Sequence, residues 1–266
     1  MELLISCVTD VGTIRPNNQD SFSAKVMSIK GAEAALLVLC DGMGGYEKGE
    51  VASASVVGSF DDWFENRFPS LYENGIRDDV IRNEWTGLIN NANEGIKDFA
   101  TKEGLKMGTT VVAVLILKNR FYEVNVGDSR AYHVGDTVKQ ISKDHSLVAR
   151  EVELGNITEV EAETDTRKNV LLQCIGASSC VKPDFQFGTL EGAHSFVLCS
   201  DGFWHFTSLQ EIQNNLSPNL FTTEEEMEAT LKQMVEIVKA RGETDNITVA
   251  AGVVKTDFLG EETLTL

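Results

Sequence analysis

The sequence predicts an α+β fold, an antiparallel β-sheet covered by helices, on three observations. Apolar runs at 111–117 and 121–126 are separated only by Lys118, Asn119 and Arg120. A connection of about three residues is too short for a crossover, so the two strands form an antiparallel hairpin. Helical periodicities come in packets between groups of strands, which argues against a doubly wound parallel sheet. No Pro- or Ser-rich linker, internal repeat or low-complexity tract interrupts the chain, and only four of its 266 residues are proline. The expectation is a single domain, 1–266.

Taken in order, the strands are short runs of Val, Leu, Ile and Thr bounded by Gly, Asp or Asn. A strand-like segment at 22–26 precedes one at 34–40. Two helical patterns follow, the first with Ala54, Val57, Phe60 and Phe64 on one face. The second has Ile81, Trp85, Leu88, Ile89, Ala92, Ile96 and Phe99 at three- and four-residue steps. Strands return at 108–117 and 121–126. A polar stretch, 144–180, is expected to run over the surface. After a strand at 195–199, Met227, Leu231, Met234, Val235 and Val238 mark a long helix, with Thr223 and Glu226 as a capping box and Gly242 just past its end. The last strand is 247–254.

Composition narrows the function. The chain is too long for a disulfide- or metal-stapled mini-protein, and with 42% hydrophobic and 24% charged residues it must bury a core. Its net charge of −18 repels polyanions, which excludes bulk electrostatic binding to nucleic acid or an anionic membrane. A phosphate-bearing substrate has to be recruited locally. The longest apolar runs, 34–40 and 111–117, fall far short of the roughly 20 residues that span a bilayer. Residues 1–10 lack a basic leader and a long apolar segment, so the expected location is the cytoplasm. The five cysteines form no C-x-x-C and are read as reduced and structural.

Chemistry gathers where apolar strands end abruptly in aspartate: Asp41-Gly42 after 36–40, Gly127-Asp128 after 122–126, and Ser200-Asp201-Gly202 after 196–199. Asp245-Asn246 immediately precedes the strand at 247. Any one of these alone is ordinary turn chemistry. Four together, on one rim, repel one another unless they are protonated or share a cation. All are oxygen donors with no His or Cys at ligand spacing, which favours magnesium or manganese over zinc or copper. Glycines after Asp41 and Asp201 let the backbone turn so that a carbonyl can also face an ion, and Asp41-Gly-Met-Gly-Gly45 suits close approach to a ligand. Arg15, in the turn-rich segment 9–20, has the fork geometry to grip a phosphoryl group.

The ordered set Arg15, Asn18-Gln-Asp20, Asp41-Gly-Met-Gly-Gly45, Gly108-Thr-Thr110, Val126-Gly-Asp-Ser-Arg-Ala-Tyr132, Lys143-Asp-His-Ser146, Ser200-Asp-Gly202 and Asp245-Asn-Ile-Thr-Val249 resembles the metal-dependent Ser/Thr protein phosphatases of type 2C in their compact bacterial form. The resemblance runs from about residue 9 to 254. It implies a sandwich of two antiparallel β-sheets flanked by helices on both sides, with 144–180 as a flap beside the active site. It implies that phosphoserine and phosphothreonine are hydrolysed by a water activated between two manganese or magnesium ions. Asp41 would bridge the two ions, with the Gly42 carbonyl on one of them. Asp201 and Asp245 would complete the first ion's shell, Asp20 would stand beside the second, and Asp128 would help hold a weaker third. Arg15 would bind the phosphate, and Asn246 would support Asp245.

The implied partners are a phosphorylated protein substrate and a Ser/Thr kinase with its targets, met by a monomer without nucleic acid or membrane. Two departures stand out. Met43 occupies the place where animal and plant relatives carry a histidine proposed as general acid. His205 stands where many relatives have an aspartate for the third metal, and is read as structural, as is His145. The acidity of the flap implies a preference for substrates with basic residues near the phosphosite. The alternative reading is a catalytically weak member that binds a phosphoprotein or kinase as a regulatory module, against which the intact Asp41, Asp201, Asp245 and Arg15 argue.

Overall fold

The computed structural model describes residues 2–43 and 48–255. Gly44 and Gly45 of the glycine-rich turn lie outside the described residues. Ten strands make two five-stranded antiparallel sheets. One sheet joins, in spatial order, β1 (Glu2–Asp10), β10 (Ile247–Lys255), β9 (Ala193–Cys199), β6 (Arg130–Val134) and β7 (Val138–Gln140). The other joins β2 (Ser21–Ile29), β3 (Ala32–Cys40), β4 (Val111–Leu117), β5 (Arg120–Val126) and β8 (Asp184–Thr189). The expected hairpin is present, with Leu117 opposite Arg120. Its loop is therefore Lys118-Asn119, one residue shorter than expected, and Lys118 takes the left-handed conformation at φ 55° that such a tight turn needs.

Three apolar layers hold these sheets. Between them lie Leu37, Leu39, Val112, Val114, Phe196, Leu198 and Ala250. On the outer face of the second sheet pack α1 (Gly49–Asp62), a π turn (Trp63–Arg67), α2 (Phe68–Glu73) and α3 (Asp78–Glu103). Phe60, Trp63, Phe68 and Trp85 meet there edge-on or tilted, with ring centroids 5.5–5.6 Å apart. After α4 (Leu147–Glu153) and α5 (Glu159–Thr164) in the flap, α6 (Asp201–Trp204), α7 (Leu209–Leu216) and α8 (Glu224–Ala240) cover the first sheet. Helices thus flank both faces, as the resemblance implied.

Three local expectations change. Ala54 is exposed, because the inward stripe of α1 is Ala52, Val56 and Phe60 at i, i+4 spacing. The π turn then adds a residue to the helical repeat and keeps Phe64 and Phe68 in the core. Phe99 also points outward, and Asn93 and Ala100 take the inner face beside Ile96. At α8 half of the capping box forms: Thr223 Oγ1 accepts from the Glu226 N–H, but Glu226 Oε2 takes its protons from Thr222. All five cysteines are free thiols. Among the described residues no helix is long and apolar enough to cross a membrane.

Candidate active site

Five aspartates reach one end of the sandwich because antiparallel pairing places their strand ends side by side. Ser21 pairs with Cys40, which brings Asp20 beside Asp41. Cys199 pairs with both Arg130 and Val249, which brings Asp201 between the Asp128 and Asp245 loops. Asp128 is buried and the other four are half-buried. Asp41 lies centrally, within electrostatic reach of Asp20, Asp201, Asp128 and Asp245.

Each is fixed through its main chain or a hydroxyl. The Asp41 N–H donates to Thr110 Oγ1 at 2.9 Å, and its carbonyl accepts from the Thr109 hydroxyl and the Thr110 N–H, both at 2.9 Å. Thr110 Oγ1 also meets Ser129 Oγ at 2.7 Å, tying this turn to the Asp128 loop. The Asp128 carbonyl accepts from the Trp204 indole at 3.0 Å. Thr248 donates to Asp20 Oδ2 at 2.6 Å. Asn246 is a knot: its amide donates to the carbonyls of Val11 and Asn17 while its Oδ1 accepts from the Gln19 N–H. That knot holds the Arg15 segment against Asp245, and Arg15 Nη2 reaches Asp245 Oδ2 at 2.6 Å.

The glycines act by close approach. A Cβ on Gly42 would lie 2.4 Å from the Gln19 carbonyl oxygen, and one on Gly202 would lie 2.1 Å from that of Asn246. Neither takes a left-handed φ, so the sharp turn expected at these positions is a tight packing of backbone on backbone instead.

The electrostatics are those of crowded carboxylates. Burial and the charges of Asp201 and Asp245 push Asp20 up to about 7, although hydroxyls of Thr248 and Ser200 oppose the shift. Burial, with Asp201 and Asp144, pushes Asp128 up to about 8. Asp41 is held well above the usual carboxylate range and Asp201 above it, burial being the main cause in both. A rim where so many acids resist ionisation is built for positive charge. The donors are all hard oxygens, the set that magnesium and manganese prefer. Among the described residues no three His, Cys, Asp or Glu side chains already converge as a closed ligand group. The fit to hard divalent ions therefore rests on the chemistry and mutual proximity of the donors.

His145 is structural here. Its Nδ1 accepts from the Gly127 N–H at 3.1 Å and the Gln173 amide at 2.8 Å, so Nε2 carries the proton and donates to Asp184 at 2.7 Å. The flap is less of a surface excursion than expected, since Ile175 is buried in the core and bridges Thr109. Its acids are also partly spent locally. Glu161 closes a capping box with Thr158, Asp165 pairs with Arg167 and Glu153 with Lys143.

Sequence reasoning gave no role to Thr109, Thr110, Thr248 or Glu243, all of which hold the rim in place. The Gly108-Thr-Thr110 and Asp245-Asn-Ile-Thr-Val249 motifs carried the signal for the three threonines. A Glu243 in a polar loop looks like an ordinary side chain.

Comparison with known proteins agrees with this geometry. A family model described as Protein phosphatase 2C matches residues 15–250. Protein phosphatase PhpP of Streptococcus pneumoniae is 31% identical over 249 residues, covering 92% of this chain and 95% of that protein. The solved S. agalactiae serine/threonine phosphatase aligns with a TM-score of 0.81 at 32% identity, over 96% of this chain and 100% of that one. The catalytic domain of the phosphatase PstP, solved in complex with two manganese ions, aligns with a TM-score of 0.77 at 28% identity, over 95% of this chain and 99% of that one.

Proposed function

The chain belongs to the protein phosphatase 2C family, and from that premise we propose that it is a serine/threonine protein phosphatase whose active site is the aspartate rim. The observation that carries the site is the placement of Asp20, Asp128, Asp201 and Asp245 around Asp41, each raising the energy of its charged form. We read the chain as one catalytic domain acting on phosphoproteins made by a Ser/Thr kinase.

In this reading Asp41, Asp201 and Asp245 would hold one divalent ion, Asp41 and Asp20 would serve a second, the Gly42 carbonyl would contribute to one of these two, and Asp128 would serve a weaker third. Manganese and magnesium both accept this set. Bound there, such ions would neutralise phosphoryl charge and lower the pKa of water toward neutrality, which would supply a nucleophile.

The chain's own residues do the rest. Arg15 binds phosphoryl oxygens, and the Asn246 knot together with Asp245 aims its guanidinium. Thr248 and Ser200 orient the Asp20 carboxylate. Attack of water at phosphorus breaks the P–O bond to the Ser or Thr side chain, releasing alcohol and inorganic phosphate. The alkoxide's proton comes from elsewhere or from water, because Met43 has none to give and both ring nitrogens of His145 are committed.

The test is phosphate release from a phosphothreonine peptide with manganese, with magnesium and with chelator, beside Asp41→Asn. Metal-dependent release that drops at least about a hundredfold in the variant is expected. A folded protein inert with either metal would favour the regulatory-module reading.

A further inference from the structure

Glu243 is an odd residue to find beside this rim. Its side chain is 7% exposed, and burying a carboxylate is unfavourable unless its oxygens are used. Oε1 accepts from the N–H groups of Thr244 at 2.6 Å and Asp245 at 2.9 Å, so it shapes the turn that presents Asp245. Among the described residues Oε2 makes no hydrogen bond, and it faces His205 Nδ1 at 3.5 Å. His205 closes the one-turn helix that Asp201 opens, its N–H donating to the Asp201 carbonyl at 3.0 Å. The His205 ring packs on Trp204, centroids 4.3 Å apart, and Trp204 in turn holds the Asp128 carbonyl. The Glu243–His205 contact joins the Asp245 loop to the Asp201 loop, and the separate Trp204 hydrogen bond ties the latter to the Asp128 loop.

We propose that Glu243 and His205 form a clasp that sets the loops of Asp201 and Asp245 against each other, so that Glu243 is a positioning residue of the metal site. The proposal rests on the reading of Asp201 and Asp245 as metal ligands. Groups that orient a ligand characteristically change metal affinity by about 10- to 100-fold when removed. An acid that merely satisfied a surface turn would leave affinity alone.

The first arm of the test needs no metal. Amide exchange of the metal-free protein should show Thr244 and Asp245 protected. Glu243→Ala should lose at least about tenfold of that protection, and Glu243→Gln should retain it, because an amide oxygen accepts the same two protons. The second arm is the manganese dissociation constant by calorimetry. Glu243→Ala should weaken it at least about tenfold, Glu243→Gln should stay within about threefold, and His205→Leu should fall between them while keeping the packing on Trp204.

Unchanged exchange in Glu243→Ala, or wild-type affinity in a folded Glu243→Ala or His205→Leu protein, would overturn the clasp. If Glu243→Ala fails to fold, Glu243→Gln and His205→Leu carry the test. Asp245→Asn separates the two claims: wild-type manganese affinity in that variant would refute the ligand reading, while the exchange arm would still judge the clasp.

Discussion

Arg15 shows how a single residue's role follows from what anchors it. Its guanidinium is partly exposed, touches Asp245 through one nitrogen, and sits on a segment pinned by Asn246. Its charge is reinforced by Asp245, Asp201 and Asp41, so it stays cationic over the whole accessible pH range. A planar fork held this way positions a tetrahedral anion, whereas a lysine offers a point charge on a flexible stem. Arg15→Lys is therefore expected to raise KM for a phosphopeptide by about tenfold with a smaller change in kcat, and Arg15→Ala to raise it further. Steady-state kinetics at saturating manganese measure this. An unchanged KM in Arg15→Ala would remove the arginine from phosphate binding. At this scale Asp41, Asp128, Asp201 and Asp245 were readable because each follows or precedes a conspicuous apolar strand, whereas Asp20 came only with the family resemblance. Glu243 was not, since nothing in a linear sequence distinguishes a buried acid in a loop from a solvated one.

At the scale of elements, the strands easiest to recognise are those buried on both faces. β3, β4, β5 and β10 are almost continuously buried and so appear as unbroken apolar runs. The strands not recognised as such, β1, β7 and β8, lie at sheet edges, where exposed polar positions dilute the pattern. β6 is short and hidden within the Gly-Asp-Ser-Arg motif. It also carries a half-buried titratable group. His133 packs against both Phe121 and Phe196, which also touch each other, and its Nε2 meets His194 Nδ1 at 3.0 Å. Burial, then the neighbouring His194 and Lys139, pull it down to about 4.

Because the unfolded histidine titrates near 6.5, the folded state binds fewer protons between those values. The stability that neutral His133 contributes is present above about pH 6.5 and is lost as pH falls through about 4. His133→Phe keeps the stack and removes the titration. Thermal unfolding between pH 4 and 8 should show a shallower acid limb in the variant, and parallel curves would contradict the assignment.

For the whole molecule, a net charge of −18 and a substrate that is itself an anion pose an electrostatic problem. The fold confines its answer to one end of the sandwich, where carboxylates from both sheets meet and, in the proposed reading, divalent ions would invert the local field. The antiparallel topology was legible because hairpin spacing dictates it. Strand ends alone suggested that Asp41, Asp128, Asp201 and Asp245 share a rim, but that Asp20 joins them and that the rim draws on both sheets depends on how the sheets stack, and only the family resemblance anticipated it. The flap's acidic composition overstated its field, because Glu153, Glu161 and Asp165 are paired or capped where they stand.

Hydrolysis in this reading depends on ions held at the rim, and anomalous difference density from crystals grown with manganese would locate them. Two strong peaks are expected at the rim with the Asp41 carboxylate touching both, and loss of at least one in Asp41→Asn. Strong peaks elsewhere, or none within coordination distance of Asp41, Asp201 and Asp245 at saturating manganese, would contradict it.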